Sequence, residues 1–251
     1  GQALTTRVFA YADIKTRPPV VPDRTLFRPG SVSKLITWTA VMQQVEQGKI
    51  DLDADINRYL DFKIPPYEGK PVTMRQAMTH TAGFEEQLKD LIGTKRAGVP
   101  PYDELLKQWV PKRIFAPGTT PAYSNYATSL AGYVVERVSG QPFDSYVEQH
   151  IFAPLRMTRS STRQPLPDAL KPLMATGYRK ASGETVEFEI VGPAPAGSMS
   201  STGSDMARFM IAHLNGGEPD GARILKPETA RMMHTSIKKY VPPLDGMALG
   251  F

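Results

Sequence analysis

The chain has 251 residues and a formal net charge of +5, with the hydrophobic share of 41% and charged share of 22% of an ordinary globular protein. It contains no cysteine, which excludes disulfide bonds and thiol catalysis. No apolar run approaches the roughly 20 residues that span a bilayer, and no basic run with interleaved aromatic residues indicates nucleic-acid binding.

The first predicted elements are a strand over residues 7–11, where apolar and polar side chains alternate, and a helix over 31–47. Pro29-Gly30 breaks the chain before this helix, Ser31 is a favoured residue at a helix start, and Gly48 is placed to end it. The apolar face of the helix is expected to consist of Leu35, Ile36, Ala40, Val41, Gln44 and Val45.

Ser31 and Lys34 lie three residues apart at the start of this helix, a spacing that puts both side chains on one face. A serine hydroxyl is a poor nucleophile until a base removes its proton, and desolvation lowers the pKa of a lysine toward a value that suits a base. The alternative is that Ser31 only caps the helix and Lys34 is solvated. The same spacing recurs in Ser236-Ile-Lys-Lys239, but Tyr240-Val-Pro-Pro243 breaks any helix there.

Six further helices are predicted over 74–80, 102–109, 126–139, 143–150, 205–214 and 227–233, and a strand over 184–191. Gly140 is placed to end a helix, Thr202-Gly-Ser-Asp205 reads as a capping box, and Pro227 fits a first helical position. The proline-rich stretches 15–22, 95–101 and 163–172 are predicted to be surface loops.

Tyr123-Ser-Asn125 lies between a loop-forming run and the predicted helix over 126–139. Such a loop is a common place to present functional side chains. A phenol near an ammonium group can have a lowered pKa and pass a proton, and an asparagine amide can donate and accept at once. The alternative is a buried tyrosine beside a capped amide.

These motifs and several longer segments resemble the serine β-lactamase and penicillin-binding-protein superfamily, in the branch of class C β-lactamases, DD-peptidases and family VIII carboxylesterases. The matching segments are 25–34, 48–55, 72–83, 115–118, 195–202 and 205–209. The resemblance implies a single serine-hydrolase domain over 1–251 with an α/β (α+β) fold. In that fold a helical lobe, roughly 50–180, packs on an antiparallel sheet built from segments within 1–49 and 181–251.

The resemblance also implies roles for individual residues. Ser31 would be the acylated nucleophile, Lys34 its proton partner, and Tyr123 a general base in acylation or deacylation. Asn125 would bind the substrate carbonyl or acyl-amide group, and Ser198 would border the substrate pocket. The Ser31 N–H would supply one half of an oxyanion hole. No cofactor and no metal ion are implied.

Other residues are predicted to have structural roles. His80 matches a segment that is usually a structural turn in the family. The remaining histidines, His150, His213 and His234, have no metal-ligand spacing. Aromatic packing in the core is favoured over a place in the substrate cleft for Phe84, Trp109 and Tyr178.

The family's third motif, Lys-Thr-Gly or His-x-Gly, is expected downstream of Phe251, and the leading helix and first strand are expected before Arg7. The sheet of this chain is therefore expected to be incomplete. An open sheet edge favours pairing with a second copy, so a homodimer is considered as a partner besides a small ester or amide substrate. By resemblance, the expected compartment is the periplasm or the cell exterior.

The function expected from the resemblance is acyl transfer to water through an acyl-Ser31 intermediate. Small esters are the favoured substrates, and β-lactams or D-amino-acid peptides are the alternatives. A competing interpretation is a non-catalytic remnant that binds peptidoglycan-like ligands or a protein partner. A third interpretation is a fragment that does not fold alone.

Overall fold

A computed structural model describes residues 3–87, 92–93, 100–218, 221–237, 239–244 and 246–251. Two-residue strands β1 (Ile92–Gly93), β2 (Gly177–Tyr178), β3 (Thr185–Val186) and β4 (Ile190–Val191) form two antiparallel pairs, β1 with β4 and β2 with β3. The helices are α1 (Lys34–Glu46), α2 (Met74–Met78), α3 (Tyr102–Gln108), α4 (Asn125–Ser139), α5 (Phe143–Val147), α6 (Gly203–Leu214) and α7 (Pro227–His234). This mixture of helices and small antiparallel sheets agrees with the predicted α+β class.

Helix α1 lies at the centre of the core. The predicted face is buried or partly buried, but Trp38, Thr39 and Met42 on other sides of the helix are buried as well. A helix that is buried on nearly all sides must be surrounded by other elements. Helices α4 and α5 and the turn Ala194–Ala196 pack against α1, which fixes the position of its first turn.

Helix α4 is the main neighbour of α1, and it brings a third segment close to both. The ring of Pro195 lies so near to Gly132 of α4 that a Cβ at Gly132 would come within 2.5 Å of it. The Pro195 carbonyl accepts a hydrogen bond of 2.7 Å from the Thr37 hydroxyl of α1. The turn over 194–196 is therefore locked between the two helices.

Most of the predicted helix boundaries are confirmed. Gly48 and Gly140 have left-handed backbone angles, φ +68° and +72°, just after the ends of α1 and α4. Pro227 is the first residue of α7. Thr202 caps α6 by accepting from the Asp205 N–H at 3.1 Å.

Two helix details differ from the prediction. The carboxylate of Asp205 binds Arg159, Ser160 and Arg208 instead of closing the predicted capping box. A full capping box is present at α2, where Thr73 and Gln76 satisfy each other's backbone N–H groups. The helix predicted over 143–150 is α5 followed by a π-helical turn over Glu148–Phe152.

The predicted strand over 7–11 is wrong. This segment is exposed. Among the described residues, its β-type backbone pairing is a single isolated bridge between Tyr11 and Pro19. Alternation alone does not make a strand, because its backbone groups need a partner strand. The strand predicted over 184–191 is found as the two short strands β3 and β4, which belong to different sheets.

The loops predicted over 15–22 and 163–172 contain no strand and only a 3₁₀ turn at Lys171–Leu173. Most of the loop predicted over 95–101 lies outside the described residues. Within the described ranges, every helix is too short or too polar to cross a membrane.

Candidate active site

Ser31 and Lys34 meet at the first turn of α1. Ser31 lies in the 3₁₀ turn Gly30–Ser33, and Lys34 begins α1. The Lys34 Nζ atom lies 3.1 Å from the Ser31 Oγ atom, which confirms that the three-residue spacing puts both groups within hydrogen-bond reach. Ser31 is exposed, whereas Lys34 is only 4% exposed. The hydroxyl is thus accessible to a substrate while the amine is shielded from water.

Three oxygen atoms surround the Lys34 amine. Besides Ser31, Nζ donates to Oδ1 of Asn125 at 2.7 Å and to the carbonyl oxygen of Ala196 at 2.7 Å. An ammonium group has three donors, so the charged form is fully satisfied. The Ala196 carbonyl comes from the turn that α1 and α4 lock in place. Every residue type has a backbone carbonyl, so the amino-acid sequence does not indicate this contact.

Burial lowers the pKa of Lys34 to about 8, and the charge of Glu86 opposes this shift. Loss of a proton leaves the amine with two N–H groups and one lone pair. The Asn125 and Ala196 oxygens can only accept, so the two N–H groups are required there and the lone pair faces the Ser31 hydroxyl. The geometry therefore makes neutral Lys34 a base directed at Ser31.

Tyr123 contacts Ser31 from the loop that precedes α4. Its hydroxyl donates to the Ser31 Oγ atom at 2.6 Å, and its side chain is 46% exposed. The expected lowering of the Tyr123 pKa is wrong, because burial raises it although the Lys34 Nζ atom lies 4.8 Å from the ring centroid. Tyr123 is thus a phenol at neutral pH, in the state that donates a proton.

Asn125, the first residue of α4, joins Lys34 to an acidic side chain. While Oδ1 accepts from Lys34, Nδ2 donates to Oε1 of Glu86 at 2.8 Å, and the Asn125 backbone N–H donates to Oε2 at 2.9 Å. Sequence reasoning did not single out Glu86. It follows the Thr-Ala-Gly turn by a few residues, which gives no signal for a contact 39 residues along the chain.

Ser198, predicted to border the substrate pocket, has a buried side chain in the structure. Ser198 is 1% exposed, and its hydroxyl donates to the Thr162 carbonyl oxygen at 2.7 Å. This hydrogen bond ties the segment after the Ala194–Ala196 turn to Thr162.

His80 lies directly behind Tyr123. The two ring centroids are 4.6 Å apart, and the Trp38 ring lies 6.3 Å from the imidazole at an interplanar angle of 76°. The His80 Nδ1 atom accepts from the Ser124 N–H at 3.2 Å, and its carbonyl oxygen accepts from the Ala122 N–H at 2.7 Å. Burial and the charge of Lys34 lower the pKa of His80 to about 4. A neutral imidazole therefore supports the Tyr123 loop at neutral pH.

The remaining predicted residues have mixed outcomes. Phe84 is buried in the core against Tyr126, as expected, whereas Trp109 lies beside a small cavity that Glu86 and Asn125 also line. His213 and His234 have no metal-ligand spacing in the sequence, yet the His213 Nδ1 and His234 Nε2 atoms lie 3.2 Å apart. Across the described residues, no group of three or more histidine or acidic side chains is arranged to hold a metal ion.

The chain is similar to known proteins over nearly its whole length. The Beta-lactamase family model matches residues 1–246. A Beta-lactamase from Yersinia enterocolitica is 30% identical over 208 residues, which are 82% of this chain and 51% of the relative. The D-alanyl-D-alanine-carboxypeptidase/endopeptidase AmpH of Escherichia coli is 29% identical over 217 residues, 83% of this chain and 54% of the relative.

Among solved structures, the octameric penicillin-binding protein homologue from Pyrococcus abyssi superposes with a TM-score of 0.75 at 26% identity. The match covers 96% of this chain and 56% of that chain. The chain thus spans about half the length of the relatives it matches.

Proposed function

Because the chain belongs to the beta-lactamase family, we propose that it is a serine hydrolase that carries the acyl group of its substrate as an ester on Ser31. One observation supports this proposal above all others. The Lys34 amine has two of its hydrogen-bond positions fixed by acceptors, and the third faces the Ser31 hydroxyl at 3.1 Å. A buried amine arranged in this way activates a serine without a histidine.

In the acylation step, Lys34 takes the proton of the Ser31 hydroxyl while Oγ forms a bond to the carbonyl carbon of the substrate. The bond from that carbon to the leaving group then breaks. The Tyr123 hydroxyl lies 2.6 Å from Ser31 Oγ, within reach of a leaving group on the same carbon, and can give it a proton. At the end of this step Lys34 is an ammonium and Tyr123 is a phenolate, so the two proton transfers balance.

In the deacylation step, a water molecule takes the place of the leaving group. The Tyr123 phenolate removes a proton from the water, which attacks the ester carbon, and the Lys34 ammonium gives its proton to the Ser31 oxygen as that oxygen leaves. By microscopic reversibility, the residues that served acylation serve this step in the opposite order. The exposed position of Ser31 allows water to reach the ester.

The substrate class is the finer part of the proposal. The sequence resemblance favours small esters, whereas the names of the matched relatives favour β-lactams or D-alanyl peptides. All three are acyl compounds that the same Ser31–Lys34–Tyr123 arrangement can attack. We therefore propose an acyl hydrolase of this group, with the β-lactam or D-alanyl peptide as the second candidate beside the ester.

Intact-mass spectrometry tests the proposal. The 251-residue chain is incubated separately with a fluorophosphonate, benzylpenicillin and p-nitrophenyl acetate. We expect one covalent adduct per chain with the fluorophosphonate and with at least one acyl donor, and none in Ser31→Ala. Rapid loss of the acyl adduct identifies a hydrolase, and a persistent adduct identifies a binding protein.

Ser236→Ala is the matched control, because Ser236 begins the second serine–lysine pair of the same spacing and is exposed. This variant is expected to label like the parent chain. A folded parent chain that forms no adduct with any of the three compounds would contradict the proposed function.

A further inference from the structure

The side chain of Glu86 contacts Asn125 at two points. One carboxylate oxygen accepts from the backbone N–H of Asn125 at 2.9 Å, and the other accepts from Nδ2 at 2.8 Å. The Oδ1 atom of the same amide accepts from Lys34 at 2.7 Å. Building on the proposed function, we propose that Glu86 is a positioning residue, which fixes the end of the Asn125 amide that faces Lys34 and so directs the lysine at Ser31.

The argument rests on donor and acceptor types. A carboxylate only accepts and an ammonium only donates. With the Asn125 amide in the observed orientation, both contacts are complementary. In the opposite orientation Nδ2 would face the donors of Lys34 and Oδ1 would face the carboxylate, so both contacts would be repulsive. Only one of the two orientations is therefore compatible with Glu86.

The position of Glu86 is itself fixed by the backbone. Asn125 is the first residue of the 15-residue helix α4, and its N–H is one of the groups that have no partner within the helix. The positive end of the helix dipole also favours a carboxylate at this place. The start of the helix thus holds the Glu86 carboxylate in place, and the carboxylate in turn holds the Asn125 side-chain amide in one orientation.

The charge of Glu86 gives the proposal a measurable signature. The titratable groups facing Lys34 are Glu86, Tyr123 and His80, and of these Glu86 favours the protonated amine. Removing the carboxylate charge should lower the pKa of Lys34 below its value of about 8. A residue that served only the stability of the fold would not produce this shift.

The test compares Glu86→Gln with the control Glu85→Gln. Glu85 is the neighbouring glutamate, and its side chain is exposed. We expect Glu86→Gln to slow acylation of Ser31 by up to about 10²-fold on the pH plateau, the effect of misplacing a reacting group by about 1 Å. We also expect the acidic limb of its pH profile to move to lower pH. The Glu85→Gln variant should match the parent chain in both measurements.

A second variant separates orientation from loss of folding. In the double variant Glu86→Gln, Asn125→Asp, an amide donor faces a carboxylate, and the second carboxylate oxygen still accepts from Lys34. Net charge and donor–acceptor pairing are both restored, so on the pH plateau we expect this variant to acylate faster than Glu86→Gln. Because its carboxylate contacts Lys34 directly, the pH midpoint should move back up, to the parent's value or above it.

An NMR titration of ¹³C-labelled Lys34 in the parent chain and in Glu86→Gln distinguishes failure of the positioning role of Glu86 from failure of the proposed hydrolase function. If the parent chain forms no acyl adduct but the Lys34 midpoint falls in Glu86→Gln, the contact proposed here stands and the proposed function fails. If the midpoint and the acylation rate are both unchanged in folded Glu86→Gln, the positioning role of Glu86 is overturned.

Discussion

The imidazole of His80 is packed against the phenol ring of Tyr123, with ring centroids 4.6 Å apart and ring planes inclined by 33°. The two residues are 43 positions apart, and His80 also accepts hydrogen bonds from the backbone N–H groups on both sides of Tyr123. The ring and both acceptors together fix the height and the tilt of the phenol above Ser31. A residue that sequence reasoning places in a structural turn therefore supports a group of the candidate site.

Two variants of His80 should separate these contacts. His80 has φ +52°, a left-handed angle that asparagine tolerates well, so His80→Asn keeps an acceptor for Ser124 but loses the ring. His80→Phe keeps the ring and leaves the buried Ser124 N–H without its acceptor, which costs about 1–3 kcal/mol of stability. We expect His80→Phe to have the lower melting temperature and His80→Asn the slower acylation. Equal acylation rates for the parent chain and His80→Asn would contradict the role of the ring.

The pH dependence of acylation should follow Lys34. The neutral amine is the base, and its pKa is about 8, so the rate should rise about tenfold per pH unit below that value and level off above it. Burst kinetics with p-nitrophenyl acetate from about pH 6 to 10 measure this profile, with Ser31→Ala as the blank for hydroxide attack. The imidazole of His80 titrates near 4 and does not affect this range. A profile without a midpoint between 7 and 9 would sink the assignment of Lys34 as the base.

Tyr123→Phe should distinguish leaving groups. The variant keeps the ring against His80 and loses only the hydroxyl that donates to Ser31. A p-nitrophenolate leaves without a proton, whereas an alkoxide or amide needs one. We expect a loss of about 10²-fold or more for ethyl esters and a much smaller loss for p-nitrophenyl esters, as for the removal of a general acid. Equal losses for both esters would show that Tyr123 does not protonate the leaving group.

Gly132→Ala should disturb Lys34 from a distance. The added methyl group would collide with the Pro195 ring and push away the turn that carries the Ala196 carbonyl. Overpacking of this kind costs about 1–3 kcal/mol, which exceeds the gain of about 1 kcal/mol from replacing glycine in a helix. The melting temperature and the acylation rate should both fall.

Gly203→Ala is the control for this substitution. Gly203 is the first residue of α6, and its added Cβ would make only an ordinary contact of 3.6 Å with the Pro22 carbonyl oxygen. Its melting temperature and acylation rate should stay close to those of the parent chain. If Gly132→Ala behaves in the same way, the turn over 194–196 is not held as tightly as the packing indicates.

Features that depend on neighbours close in the chain could be predicted from the sequence. The three-residue spacing of Ser31 and Lys34 became a contact because one helical turn brings such residues together, and Gly48, Gly140 and Thr202 end or cap helices through their own backbone and side-chain preferences. The other contacts of the site depend on long-range packing and could not be predicted in this way. The contacts of Lys34 with Ala196 and of Asn125 with Glu86 join segments 162 and 39 residues apart, and they depend on how α1, α4 and their neighbours pack. The strand predicted over 7–11 is wrong for the same reason, because a strand is completed by a partner that local alternation does not specify.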